Sequence, residues 1–178
     1  MITGATIPVN RRRGSAAVVV HNDKFYIIAG NRNGHSAFMA DGTTPANVSW
    51  LDEYDPQTDT WTALADAPHA RDHFFAQVYD EKIYVVAGRR SRFGTSDGTF
   101  SDTESAVDVY DLNSNQWLSG AAVPDDLPTE RAGASLALVD NELIVIGGEV
   151  ENNSLALPTT EALNLNTGNW RSLADLTL

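Results

Sequence analysis

The sequence repeats itself three times, and that repetition limits the folds open to it more than any other feature. Three segments align without a gap: RRGSAAVVVHNDKFYIIAG (residues 12–30), ARDHFFAQVYDEKIYVVAG (70–88) and ERAGASLALVDNELIVIGG (130–148). In each, an arginine precedes a closing glycine by 17 positions: Arg13 to Gly30, Arg71 to Gly88, Arg131 to Gly148. Each segment holds two apolar runs around a polar pair, Asn22-Asp23, Asp80-Glu81 or Asp140-Asn141, which is the pattern of a β-hairpin with a short connection. A fixed period of this kind belongs to architectures in which identical units stack on one another.

A second hairpin follows each glycine after a loop of variable length. It reads WLDEYDPQTDTWTAL, AVDVYDLNSNQWLSG and TEALNLNTGNWRSL in turn. Trp61, Trp117 and Trp170 each stand seven residues after Tyr54, Tyr110 or Leu163, and the segments between are rich in Asp, Asn, Pro, Thr and Gly, which close tight turns. No apolar period of 3.6 runs through the chain. The expected fold is all-β: three four-stranded antiparallel meanders, labelled a to d, of about 60 residues each.

These marks resemble the kelch family. Its repeat opens strand a with arginine, ends strand b with a glycine pair, and carries tyrosine in strand c and tryptophan in strand d. The resemblance covers essentially the whole chain and implies blades of a β-propeller. Departures are confined to single marks: the glycine pair is Ala29-Gly30 and Ala87-Gly88 in the first two repeats and Gly147-Gly148 only in the third, and Leu163 replaces tyrosine. The expected division is a remnant of a preceding outer strand at 1–10, then blades at 11–68, 69–128 and 129–178. The remnant follows from aligning MITGATIP with WLSGAAVP, which sets Met1 on Trp117 and Pro8 on Pro124.

A blade buries both faces against neighbours, so three blades form a half or partial propeller with two open faces. Exposed apolar faces of that kind invite association. Either further blades of a longer chain cover them, or two copies close a six-bladed ring about a two-fold axis.

Composition narrows the partners. With 12 basic and 24 acidic residues the formal charge is -12, which repels nucleic-acid backbones and anionic membrane surfaces. There is no cysteine, hence neither a disulfide framework nor a thiolate metal site. No apolar run reaches the roughly 20 residues of a membrane-spanning helix. The compartment is open; acidic, Asn- and Asp-rich loops without cysteine suit a bacterial periplasmic or secreted protein.

Strand a starts and strand b ends on the same rim, so each opening arginine should meet the residues just past each glycine. This gathers Arg13, Arg71 and Arg131 with Asn31-Arg32, Arg89-Arg90, Arg92 and Glu149. Guanidinium forks match planar anions, and an arginine cluster in an acidic chain reads as a site for a carboxylate or phosphate. Arg13, Arg71 and Arg131 recur with the fold and are expected to be structural, bonding carbonyls or, for Arg131, pairing with Glu149, although Arg71 is also kept among the ligand-facing residues. The expected ligand-facing set is Arg32, His35, Arg71, Arg89, Arg90, Arg92 and Glu149. The long loops after strand b, 31–49, 89–105 and 149–160, carry Phe38, Met39, Phe93 and Phe100, expected to cover the blade tops or anchor a partner.

Other chemistry finds little support. His69 and His73 lie at a loop-to-strand junction with no third ligand, and His21 closes strand a and is expected to be exposed. Asp41, Asp97, Asp102 and Glu104 fit no EF-hand spacing. Asp55, Asp59 and Asp111 read as turn formers. No nucleophile elbow or phosphate loop is present, so no catalytic residue, metal or cofactor is assigned. Kelch-like enzymes include galactose oxidases, which require a cysteine this chain lacks, and sialic acid mutarotases, at whose channel mouth Arg71, Arg89 and Glu149 would stand. The leading expectation is a binding or scaffold module for a protein or a small anionic ligand at the long-loop rim; the alternatives are part of a propeller enzyme acting on a carbohydrate, or a half-propeller whose dimerisation closes a ring.

Overall fold

Hairpin closure sets the frame. In the computed structural model, which describes residues 4–92, 102–150 and 156–177, Ala17–His21 (β1) and Lys24–Asn31 (β2) pair around Asn22 and Asp23, whose φ angles are 47° and 62°. Two successive left-handed residues make the turn whose twist matches the strands, and Asn and Asp tolerate it better than bulkier residues. Asn47–Asp55 (β3) and Thr60–Ala63 (β4) complete the first blade. The second is Phe75–Tyr79 (β5), Lys82–Val86 (β6), Asp108–Asp111 (β7) and Gln116–Trp117 (β8). The third is Ser135–Val139 (β9), Glu142–Ile146 (β10), Thr160–Asn164 (β11) and Trp170–Ser172 (β12). Each sheet is an antiparallel meander in chain order, as the repeat implies.

The spacing of seven is a cross-strand pair: Tyr54 faces Trp61, Tyr110 faces Trp117 and Leu163 faces Trp170. The turn between is built alike each time. Asp55, Asp111 and Asn164 accept backbone N–H bonds of 2.8 to 3.3 Å from the residues two and three positions on. Each tryptophan then reaches beyond its own blade: its indole N–H donates to the carbonyl of Ala5, Ala65 or Asp125 at 2.8 to 2.9 Å. The segment before the first blade therefore takes the place of an inter-blade linker against Trp61, although residues 4–8 form no strand.

Both faces of the middle blade are covered. Ala17, Val19, Tyr26 and Ile28 of the first blade pack on Phe74, Ile83, Val85 and Tyr110; on the other side Tyr84, Val86 and Val109 pack on Ala134, Leu143, Val145 and Leu163. Full burial of one such aliphatic side chain contributes about 1.5–3 kcal/mol. Alternation puts Val18 and Val20 on the far side of the first blade, at 55% and 57% exposure, and Val139 lies 52% exposed on the third. The interfaces are also stitched through backbone. Gly30 N–H donates to Arg71 O and Gly88 N–H to Arg131 O, both at 2.8 Å.

The first long loop is shorter than the sequence suggested. Past an irregularity between Ile28 and Gly30, β2 and β3 stay paired as far as Asn31 and Asn47. Gly30 makes this possible, since a Cβ there would lie 2.7 Å from Gly14 O.

Candidate binding rim

The arginines that open the repeats are internal struts. Arg71 is fully buried and donates to Ala87 O at 2.8 Å, Ala106 O at 2.9 Å and Asp108 Oδ2 at 2.7 Å. Arg131 does the same with Gly147 O, Thr159 O and Glu161 Oε2, the last at 2.5 Å. Arg13 donates to Ala29 O and to Asp52 Oδ2, both at 2.6 Å. Burial pulls all three guanidiniums below their usual range, against the pull of Asp52, Asp108 and Glu161. Each strut ties the bend at the end of strand b to the start of strand c, and so fixes where the rim loops leave the blade.

Two expectations fail here. Arg71 does not face a ligand: its side chain is fully enclosed, and Nη1 and Nη2 are taken by Ala87 O, Ala106 O and Asp108. Arg131 pairs with Glu161, and Glu149 instead accepts from Arg89 Nη1. The missed partners were visible in the alignment: Asp52, Asp108 and Glu161 each stand two residues before Tyr54, Tyr110 or Leu163.

Around the axis the rim is a closed polar network. Asp72, fully buried, accepts from Ser91 Oγ at 2.8 Å, Asn31 Nδ2 at 3.4 Å and His73 Nδ1 at 2.5 Å. Arg89, only 2% exposed, donates to Ser91 Oγ and Glu149 and lies 3.8 Å from Asp72 Oδ1. It is therefore held within the scaffold, whereas the sequence reading set it among the ligand-facing residues. His35, which sequence left without a partner, stacks on His73 with ring centroids 5.0 Å apart. Arg32 lies over Trp50, 5.1 Å from the ring centre, with Arg11 at 4.7 Å. Trp50 is no repeat mark, and only the structure reveals its role.

Outside this network lies a cleft of about 340 Å³, between the long loops of the first and second blades. Ala37, Phe38, Pro45 and Asn47 line one side; Arg90, Arg92 and Asp102 line the other. Asp102 holds both guanidiniums, Arg90 at 2.7 Å and Arg92 at 3.7 Å. Arg90 is still half exposed, and Phe38 stays 45% exposed where it was expected to cover the blade top.

The remaining sequence candidates serve local structure. His69 Nδ1 lies 2.8 Å from Asp108 and His21 Nε2 lies 3.0 Å from Glu81, so His21 is largely enclosed. Asp41 accepts from Thr43 N, Thr44 N and Thr44 Oγ1, bonds that pull its carboxyl down to about 2. Asp59 accepts from Tyr54 Oη at 2.7 Å and from Ala5 N. Among the described residues no three metal-ligating side chains come together. Phe93, Asp97 and Phe100 lie outside the described residues.

Comparison with known proteins gives the family. The KLHDC2/KLHL20/DRC7 Kelch-repeats domain matches residues 1–176. The chain belongs to the kelch-repeat family. Its kelch relatives include Kelch-like protein terF of Aspergillus terreus, 30% identical over 175 residues, which cover 97% of this chain and 35% of that protein. Mouse Kelch-like protein 40 is 32% identical over 156 residues, covering 86% of this chain and 21% of the relative. The chain thus spans about a third or less of these relatives. The solved structure of YjhT superposes with a TM-score of 0.69 at 20% identity, over 93% of this chain and 53% of that one, which establishes the shared propeller fold.

Proposed function

We propose that these kelch blades form a binding module that captures an acidic segment of a protein partner in the cleft between the first two blades. The observation that carries this reading is the pairing of Phe38 and Pro45 with half-exposed Arg90 across one open cleft of about 340 Å³. An aromatic anchor beside a guanidinium fork is the chemistry that recognises an acidic side chain next to an apolar one. The cleft sits on two rigid blades, and the Arg13 and Arg71 struts fix the bends from which its walls depart.

Selection from a displayed peptide library tests this. Enriched peptides should carry Asp or Glu next to an apolar residue, and Arg90→Ala or Phe38→Ala should weaken their binding about tenfold or more. Peptides without acidic enrichment, or binding untouched by both substitutions, would refute it.

A second reading concerns the open blade faces. Val18, Val20 and Phe25 occupy positions that in the middle blade are Ala76, Val78 and Ile83, packed in the core between blades. The occupant of these faces is another kelch blade, supplied by further chain or by a second copy closing a six-bladed ring. Light scattering separates the sources: twice the chain mass, lost on Val20→Lys, supports the two-copy ring, and a monomer that binds hydrophobic dye contradicts it.

A further inference from the structure

The linker between blades is longer before the third blade than before the second, and a cavity lies against it. Trp61 and Arg71 are 10 positions apart, whereas Trp117 and Arg131 are 14 apart. The indole bonds locate the extra residues. Trp117 donates to Ala65 O, four positions past Trp61, while Trp170 donates to Asp125 O, eight positions past Trp117. The insertion thus falls within residues 118–124, which contain the short 3-10 turn Gly120–Ala122. That turn and Pro124 wall a cavity of about 460 Å³ between the second and third blades. The cavity lies beside the a–b turn of the second blade and the c–d turn of the third, away from the long loops.

Its lining is aromatic on one side and amide on the other. Tyr79 and Tyr84 come from the second blade, and Asn166 and Asn169 from the turn of the third. Asp80, Lys82 and Asp125 share the cavity, Asp80 and Lys82 3.6 Å apart, so two acids face one base and the lining is net negative. The insertion is anchored across this gap: Asp125 N donates to Gly168 O at 3.2 Å, and Pro124 Cα lies 3.6 Å from the position of a Cβ on Gly168. The gap is thus held open by bonded walls.

We infer that this cavity is a binding site for a neutral sugar, a mono- or disaccharide pyranoside. The half-buried ring of Tyr79 can offer an apolar surface to the C–H face of a pyranose, Tyr84 backing it from the core, and asparagine amides both donate to and accept from hydroxyls. The net negative lining disfavours an anionic ligand such as a sugar acid or sugar phosphate. The volume falls within the range of small-ligand sites, about 300–1,000 Å³. Extra residues within a repeat commonly build the loops that bind ligands. The site is separate from the cleft of the proposed protein-binding function, so either can fail without the other.

The test is saturation-transfer NMR and calorimetry of the whole chain with the methyl pyranosides of glucose, galactose, mannose and N-acetylglucosamine. At least one should saturate with Kd on the order of 1 mM, as expected for a shallow sugar site. Tyr79→Ala should weaken it about tenfold or more, and so should Asn166→Ala at the exposed turn, where loss of fold is not at issue. Arg90→Ala should leave it unchanged. No saturable signal from any of the four at about 20 mM, or binding indifferent to Asn166→Ala in a folded protein, would overturn the assignment.

Discussion

Arg71 Nη2 lies 2.7 Å from Asp108 Oδ2, with the guanidinium wholly enclosed and the carboxylate 4% exposed. The same strut recurs as Arg13 with Asp52 and Arg131 with Glu161, so one buried ion pair per blade sets the rim. Removing one partner strands the other charge in the core. Arg71→Ala should therefore cost about 3–5 kcal/mol in denaturant unfolding. The paired replacement Arg71→Met with Asp108→Leu should recover much of that loss. A single substitution costing under about 1 kcal/mol would show that the pair is not structural.

The bend at the end of strand b makes a graded prediction about glycine. Gly30 has φ +114°, and a Cβ there would meet Gly14 O at 2.7 Å, so Gly30→Ala should cost about 2–4 kcal/mol. Gly147 has φ +65°, an angle the alanines Ala29 and Ala87 already adopt at 48° and 64°. Gly147→Ala should cost only about 1 kcal/mol. Equal losses on thermal melting would contradict this account of the bend.

The first long loop should be sensitive to acid in a defined window. Three hydrogen bonds hold the Asp41 carboxyl at about 2, below the ordinary value of 3.8. The folded loop thus favours the ionised form. Its contribution is present above about pH 4 and is lost as pH falls through about 2. The amide resonances of Thr43 and Thr44 should hold their shifts from pH 6 to about 3, then move together. Asp41→Asn should move them at all pH values. A midpoint at the ordinary value would show that the turn does not select the carboxylate.

The fold was legible because every mark in the alignment performs a bond that the fold repeats: the Tyr54–Trp61 spacing is a cross-strand pair, and Arg13 to Gly30 spans one hairpin. The rim was less legible. Recurrence identified Arg71 as a repeat mark, but burial, which decides whether an arginine meets solvent or a carbonyl, depends on packing between strands. Asp108 was readable as a repeated acid and was passed over, since an acidic residue in a strand stands out only beside its buried partner. Asp72 and the His35–His73 contact join residues from different blades, and Trp50 meets Arg11 and Arg32 within the first blade at positions that do not recur, so no spacing shared by the repeats encodes those contacts. The cavity beside Tyr79 is an exception in kind: its cause, the longer linker before Arg131, is written in the sequence, yet its volume appears only where two blades meet.

Hydrogen exchange of the chain with and without a library-selected acidic peptide is the most direct measurement of the central claim. Binding in the cleft predicts slowed exchange confined to amides of residues 37–47 and 89–92, with Tyr79–Lys82 and the turn at 165–169 unchanged. Protection centred on those turns or on the open faces of the end blades, with the cleft unaffected, would contradict it.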